Sequence, residues 1–281
     1  MKLTKILTGL SAVCLAAFMA AQPVHASDEE GGTPHYPIKH PKHAHWSFAG
    51  IFGHWDKQQL QRGLQVYTEV CAACHSMNLV AFRNLEDLGY TDKEVRAFAK
   101  EYTVEDGPDA EGEMFERDAV PSDYFPAPYP NTQAAAAANN GAAPPDFSLL
   151  AKARAPERGF PTFLLDLVWG ANGGVGPYAE NGPDYIYSLL TGYEDPPHGV
   201  EASEDLYYNP YFVGGPELAM APPLFDELVE YTDGSPMTVD QYAQDISAFM
   251  MWAAEPSLVD RKAMGFKVML FLMLLAALGL L

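Results

Sequence analysis

Five consecutive residues carry the densest chemistry in the chain: Cys71, Ala72, Ala73, Cys74 and His75. A C-x-x-C-H run is the attachment pattern of a c-type haem. Each thiol can add across one vinyl group of the porphyrin, and a two-residue gap on a helical turn matches the spacing of those vinyls. The histidine that follows is then held under the iron as proximal ligand. Two other chemistries use the same residue types. A thioredoxin-like redox pair needs a flanking βαβ pattern, which the sequence lacks. A zinc site needs two further ligands at suitable spacing, and the only other cysteine, Cys14, lies in an apolar N-terminal stretch. The spacing predicts one covalently bound haem c on Cys71, Cys74 and His75.

The sixth ligand decides what such a haem does. A methionine favours electron transfer and raises the potential, whereas an open position favours gas binding. The candidates are Met77, Met114, Met220, Met237, Met250, Met251, Met264 and His198. Met77 is too near His75 in sequence to reach the opposite haem face, and Met250, Met251 and Met264 fall in helical patterns. Met220 stands in Ala219-Met220-Ala221-Pro222-Pro223-Leu224. The two prolines remove backbone freedom just after it, so its thioether can be held at low entropic cost. The competing reading of Met220 is a flexible side chain filling core space.

These groups need elements to position them. A helix is expected to start near Asp56, which can cap its first turn with Gln59 at the capping-box position. Leu60, Leu64, Tyr67 and Cys71 follow at helical spacing, so this helix runs into the cysteine motif. Thr91 to Glu94 is another capping box, predicting a helix to about Tyr102. Residues 101–118 are acidic and read as a loop: a solvated insertion or an electrostatic docking surface. Residues 121–146 are dense in Pro and Ala. Gly170, Gly173, Gly174 and Gly176 match no phosphate loop or dinucleotide fingerprint and read as flexible chain. A short helix is expected over Asp184 to Gly192. Thr238 to Gln241 is a third capping box, with Val239, Tyr242, Ile246, Phe249 and Ala253 as an apolar stripe and Pro256 as the stop. His35, His40, His43, His45 and His54 lie in an extended, Pro-interrupted stretch that suits a solvated or structural role better than a metal site.

The chain has 281 residues, with 17 Lys+Arg against 37 Asp+Glu, a net charge of −20. That acidity repels nucleic acid and anionic lipid headgroups and suits a basic protein partner, although it also simply confers solubility. Residues 1–26 read as a secretory signal: Lys2 and Lys5, an apolar stretch from Ile6 to Ala21, and a small-residue cleavage site at Ala26. Ala263–Leu281 is apolar apart from Lys267 and is long enough to span a bilayer. Arg261, Lys262 and Lys267 stand at its N-terminal side, the reverse of the usual charge bias for an anchor entering from an exported domain. The organisation expected is therefore signal peptide 1–26, exported haem domain 27–260 and transmembrane anchor 261–281.

The chain resembles the cytochrome c1 family, the haem subunits of ubiquinol–cytochrome c oxidoreductase (respiratory complex III), in its bacterial form. The matching stretches are WSFAGIFG (46–53), RGLQVYTEVCAACHSM (62–77), ANNGAAPPDFS (138–148), YIYSLLTG (185–192), YYNPYF (207–212), AMAPPLF (219–225) and MWAAEPSLVDRKAMG (251–265). They cover essentially the whole chain after the signal, in order. The resemblance implies thioether links at Cys71 and Cys74, His75 as proximal ligand, Met220 as distal ligand, and Arg154 beside a haem propionate, with Arg158 competing for that last role. It also implies a basic tail, which here would follow Leu281. Two departures stand out. Some bacterial relatives carry a disulfide near the distal ligand, for which no cysteine exists here, and residues 156–183 have no close counterpart in the mitochondrial pattern.

The fold class expected is mostly α: a cytochrome c-like haem domain with long irregular insertions, its 56–70 and 238–254 helices crossing, plus one C-terminal transmembrane helix. The expected function is outer-sphere electron transfer in that complex, with no catalysis by the chain itself. The implied partners are cytochrome b and Rieske iron–sulfur subunits, a basic c-type cytochrome as acceptor, and the membrane, but not nucleic acid. The implied location is the bacterial inner membrane, single-pass, with the haem domain in the periplasm. An independent membrane-anchored c-type electron carrier and a haem gas sensor with an open sixth site are the alternatives.

Overall fold

Asp56 sets the first helix. Its carboxylate accepts from the amides of Gln58 (3.0 Å) and Gln59 (3.2 Å), satisfying two donors that the first turn leaves orphaned. Helix α1 then spans Lys57–Glu69 and buries Leu60, Leu64, Val66 and Tyr67. It passes through Val70 into a 3-10 turn, Cys71–Ala73, as the apolar spacing predicts. The computed structural model describes residues 38–154, 180–197, 203 and 205–279. The expected signal peptide, the glycine-rich stretch 170–176, Arg158 and His198 lie outside the described residues.

A second 3-10 segment, Phe82–Leu88, ends at Gly89, which takes a left-handed φ of 100°. Helix α2, Asp92–Ala99, starts on the expected box: the Thr91 hydroxyl accepts from Glu94 N–H, and the Glu94 carboxylate accepts from Thr91 N–H. It stops three residues short of Tyr102. The acidic stretch beyond it is a hairpin rather than a loop. Strands β1 (Thr103–Asp106) and β2 (Phe115–Asp118) pair antiparallel, with Val104 opposite Arg117. Arg117 donates to Asp106 and Asp123 and so neutralises part of the charge that the pairing gathers.

Short helix α3 (Thr132–Ala138) interrupts the Pro/Ala-rich chain, and α4 (Leu150–Ala153) follows it. Helix α5 spans Asn181–Leu190, three residues longer at its start than the sequence suggests. A small pair of strands follows, β3 (Tyr207–Tyr208) with β4 (Glu217–Leu218). Helix α6, Val239–Ala254, begins where the Thr238 hydroxyl accepts from Gln241 N–H at 3.3 Å. Helices α1 and α6 cross as expected, and they build the core. Tyr67, Tyr242, Phe249 and Trp252 are all but fully buried there. Each such side chain contributes about 1.5–3 kcal/mol of apolar burial.

Helix α7, Leu258–Gly279, has 22 residues and is long and apolar enough to cross a membrane. It starts five residues before the apolar run, because its polar first turns are held by the globular body. Lys262 Nζ donates to Glu180 Oε1 (2.6 Å) and to the Phe48 carbonyl (2.9 Å), with both side chains nearly buried. Glu255, at the end of α6, pairs with Arg261 of α7 and with Lys152 of α4. The Trp55 indole donates to the Pro256 carbonyl at 3.1 Å.

Candidate haem-binding site

The 3-10 turn after α1 gathers Cys71, Cys74 and His75. The amides of Cys74 (3.1 Å) and His75 (2.9 Å) both donate to the Cys71 carbonyl. Neither cysteine is in a disulfide. Burial first, and the neighbouring Cys74 second, push the Cys71 thiol up to about 12. His75 is buried, and burial lowers its pKa against the opposing effects of the Pro145 carbonyl and Asp146, which leaves the imidazole neutral at pH 7.

Residues 145–148 orient that imidazole. His75 Nδ1 donates to the Pro145 carbonyl at 2.8 Å, and its ring stacks on Phe147 at 4.2 Å between centroids. With Nδ1 committed, Nε2 is the nitrogen left to ligate a metal, which is how an axial histidine is usually set. Asp146 bolts the two segments together. Its carboxylate accepts from the Ser76 hydroxyl and from the amides of Asn78 and Ser148, each at 2.8 Å. Tyr67 closes the inner side by donating its hydroxyl to the His75 carbonyl at 3.2 Å.

Among the methionine candidates, Met77, Met250 and Met251 are buried in the core, while Met114, Met237 and Met264 are exposed. Met220 alone among them is half-buried, in the bend that follows β4. Its carbonyl accepts from the half-buried Tyr193 hydroxyl at 3.0 Å, which ties the bend to the chain just after α5. Arg154 is the exposed residue that ends α4, near enough to Tyr185 for its charge to act on that phenol.

Pro145, Asp146, Phe147, Tyr67 and Tyr193 received no role from the sequence. A local signal existed for one of them. In Pro145-Asp146-Phe147-Ser148, an aspartate two residues before a serine can accept from that residue's amide, the pattern of an Asx turn.

A neutral imidazole with one nitrogen committed, on the same turn as two cysteines outside any disulfide, is the donor set a covalently held haem requires, so the residues present fit the group. The fold and this donor set define the class: a mostly helical, cytochrome c-like haem protein with a C-terminal helix apolar enough for a membrane. The family follows from comparison. The Cytochrome C1 family model matches residues 46–281, and the chain belongs to that family. It is 51% identical over 237 residues to "Cytochrome b/c1" of Bradyrhizobium diazoefficiens, which covers 83% of this chain and 33% of that protein. The chain thus spans a third of that relative's length. It is 44% identical over 248 residues to cytochrome c1 of Rhodospirillum rubrum, covering 83% of this chain and 82% of the relative. It is 46% identical over 234 residues to the Candida albicans "Cytochrome b-c1 complex catalytic subunit, mitochondrial", covering 83% and 72%. Membership of this family brings haem as the cofactor and electron transport in a respiratory chain as the setting.

Proposed function

We propose that the chain is the membrane-anchored c-type cytochrome subunit of a bacterial quinol–cytochrome c oxidoreductase. It takes single electrons from an iron–sulfur subunit and passes them to a c-type cytochrome. The observation that carries this reading is the turn itself: His75 fixed through Nδ1 beside two cysteines that form no disulfide, in a chain of this family. Cys71 and Cys74 would hold one haem c through thioether links, His75 and Met220 would ligate its iron, and Arg154 would offer charge-assisted hydrogen bonds to a propionate. When bound, the haem supplies a one-electron ferric/ferrous couple.

The chain's residues orient and shield that couple. Pro145 and Phe147 set the imidazole plane, and Asp146 ties their segment to the residues after the motif. Tyr193 steadies the Met220 bend. Residues 1–26 direct export and are removed, α7 spans the inner membrane, and the haem domain lies in the periplasm beside cytochrome b and iron–sulfur subunits. The acidic hairpin β1–β2 favours a basic acceptor, whose encounter rate then falls as salt rises.

Two experiments test this reading. Purification from native membranes is expected to bring cytochrome b and iron–sulfur partners with the chain; a chain that always purifies alone points instead to an independent carrier. Met220→Leu is expected to lower the reduction potential and admit carbon monoxide to the ferrous haem. If spectrum and potential stay unchanged, the Met220 assignment fails.

A further inference from the structure

The chain ahead of α1 makes an exposed apolar knuckle. Two turns build it: the Ala49 amide donates to the Trp46 carbonyl (3.1 Å), and the Gly53 amide to the Gly50 carbonyl (3.5 Å). The His54 amide donates to the Ser47 carbonyl at 2.9 Å and closes the base. Gly50 has φ +74°, a left-handed conformation that glycine adopts without strain. At Gly53 a Cβ would lie 2.2 Å from the Phe48 carbonyl oxygen, so the turn closes only with glycine there. The apex holds Phe52 outward at 82% exposure, more than any other large hydrophobic side chain among the described residues.

Among the described residues, Phe52 has one aromatic neighbour, Phe266 of α7, met edge-on with centroids 5.5 Å apart. Phe266 stands four residues beyond Lys262, about 6 Å further along the helix axis. It lies inside the apolar run that begins at Ala263. Lys262 Nζ also donates to the Phe48 carbonyl, so the knuckle is fastened to the helix it lies against. No acidic side chain stands between Trp46 and Trp55, in a chain of net charge −20.

We propose that the Phe52 knuckle is a second membrane contact, its ring inserted at the boundary between lipid headgroups and acyl chains beside α7. The proposal rests on the reading of α7 as membrane-spanning and adds a depth to it: the bilayer surface lies at the level of Phe52 and Phe266. Exposed apolar residues continuous with a candidate span mark such contacts, and phenylalanine is among the residues that enter this layer. The globular body then meets the membrane at two points, the helix and the knuckle, which limits rotation about the helix axis.

The test places the photoreactive analogue p-benzoyl-phenylalanine singly at positions 52, 271 and 124 of the full chain, irradiated in native membranes. Position 271 is in the middle of α7, and Tyr124 is exposed on the globular body. Mass spectrometry then reads which molecule each probe has captured. The expected result is a phospholipid adduct at 52 and at 271, with none at 124. A lipid adduct at 271, with a protein chain or nothing captured at 52, overturns the knuckle contact while leaving the spanning helix intact. No lipid adduct at either position overturns both readings.

Discussion

Gly63 of α1 faces the backbone of Asp245 on α6 so closely that a Cβ at position 63 would lie 2.3 Å from the Asp245 carbonyl oxygen. The same atom would lie 2.5 Å from the Cβ of Phe249. The two helices that build the core therefore cross at a point where only a hydrogen fits. Gly63→Ala is expected to force them apart, at a cost of roughly 3 kcal/mol or more, the upper end for overpacking a dense core. Urea unfolding of the purified chain measures it, and an unchanged midpoint would contradict the close approach.

Arg62, the neighbour of that glycine, spans the same crossing. It donates to both carboxylate oxygens of the fully buried Asp245 (2.9 and 3.2 Å) and to Asp233 (2.9 Å). Tyr231 and Gln241 also donate to Asp245. Arg62→Ala leaves a buried carboxylate without its cation, which costs about 3–5 kcal/mol. The double replacement Arg62→Met with Asp245→Leu is expected to recover most of that loss. Equal destabilisation in the single and double variants would show that the charge pair is not what matters there.

Tyr193 acts at a distance from the turn that bears the thiols. Its hydroxyl holds the Met220 carbonyl, so Tyr193→Phe removes one part-buried hydrogen bond worth about 1 kcal/mol and loosens the bend. Carbon monoxide should reach the ferrous haem faster in this variant, with the potential displaced toward that of Met220→Leu. A merely structural tyrosine would lower thermal stability and leave both readouts where they were.

Glu255 gives a pH dependence with a definite sign. Burial raises its pKa, but hydrogen bonds from Arg261 and Lys152 outweigh that and hold the carboxyl below the usual range. A carboxyl depressed on folding stabilises the native state while ionised. Its contribution is whole above the unfolded value of about 4.3 and is lost as pH falls through the lower folded value. Both cations are more than half exposed, so the contribution is about 1 kcal/mol. Thermal midpoints of wild type and Glu255→Gln should differ at pH 7 and converge in acid. A gap that stays constant to pH 3 rules this out.

What could be read from the sequence was local. Asp56, Thr91 and Thr238 cap their helices through atoms two or three residues away, and the cysteines and histidine of the motif share one turn. The apolar stripe of α6 likewise needed only its own period. The contacts that orient His75 come from Pro145 and Phe147, some seventy residues on, and no short-range pattern joins them. The hairpin was hidden for a different reason. Its strands pair Glu105 against Glu116, a like-charge pairing that composition argues against, and Arg117 offsets it only once the chain has folded. Helix α7 begins before its apolar run because Arg261 and Lys262 find partners on other elements.

The nearly buried Lys262–Glu180 pair has a mechanical consequence. A membrane helix adapts to a bilayer thinner than its apolar length by tilting. In the proposed reading of α7 as a span, the first turns of that helix are clamped to the globular body by Lys262, with Arg261 bracing the same end. The helix extends about 33 Å, so it works as a rigid lever with the body fixed to its short end. Bilayer thickness would then set the attitude of the whole domain above the membrane, and any partner reaching it would meet a face whose angle the surrounding lipid had already chosen.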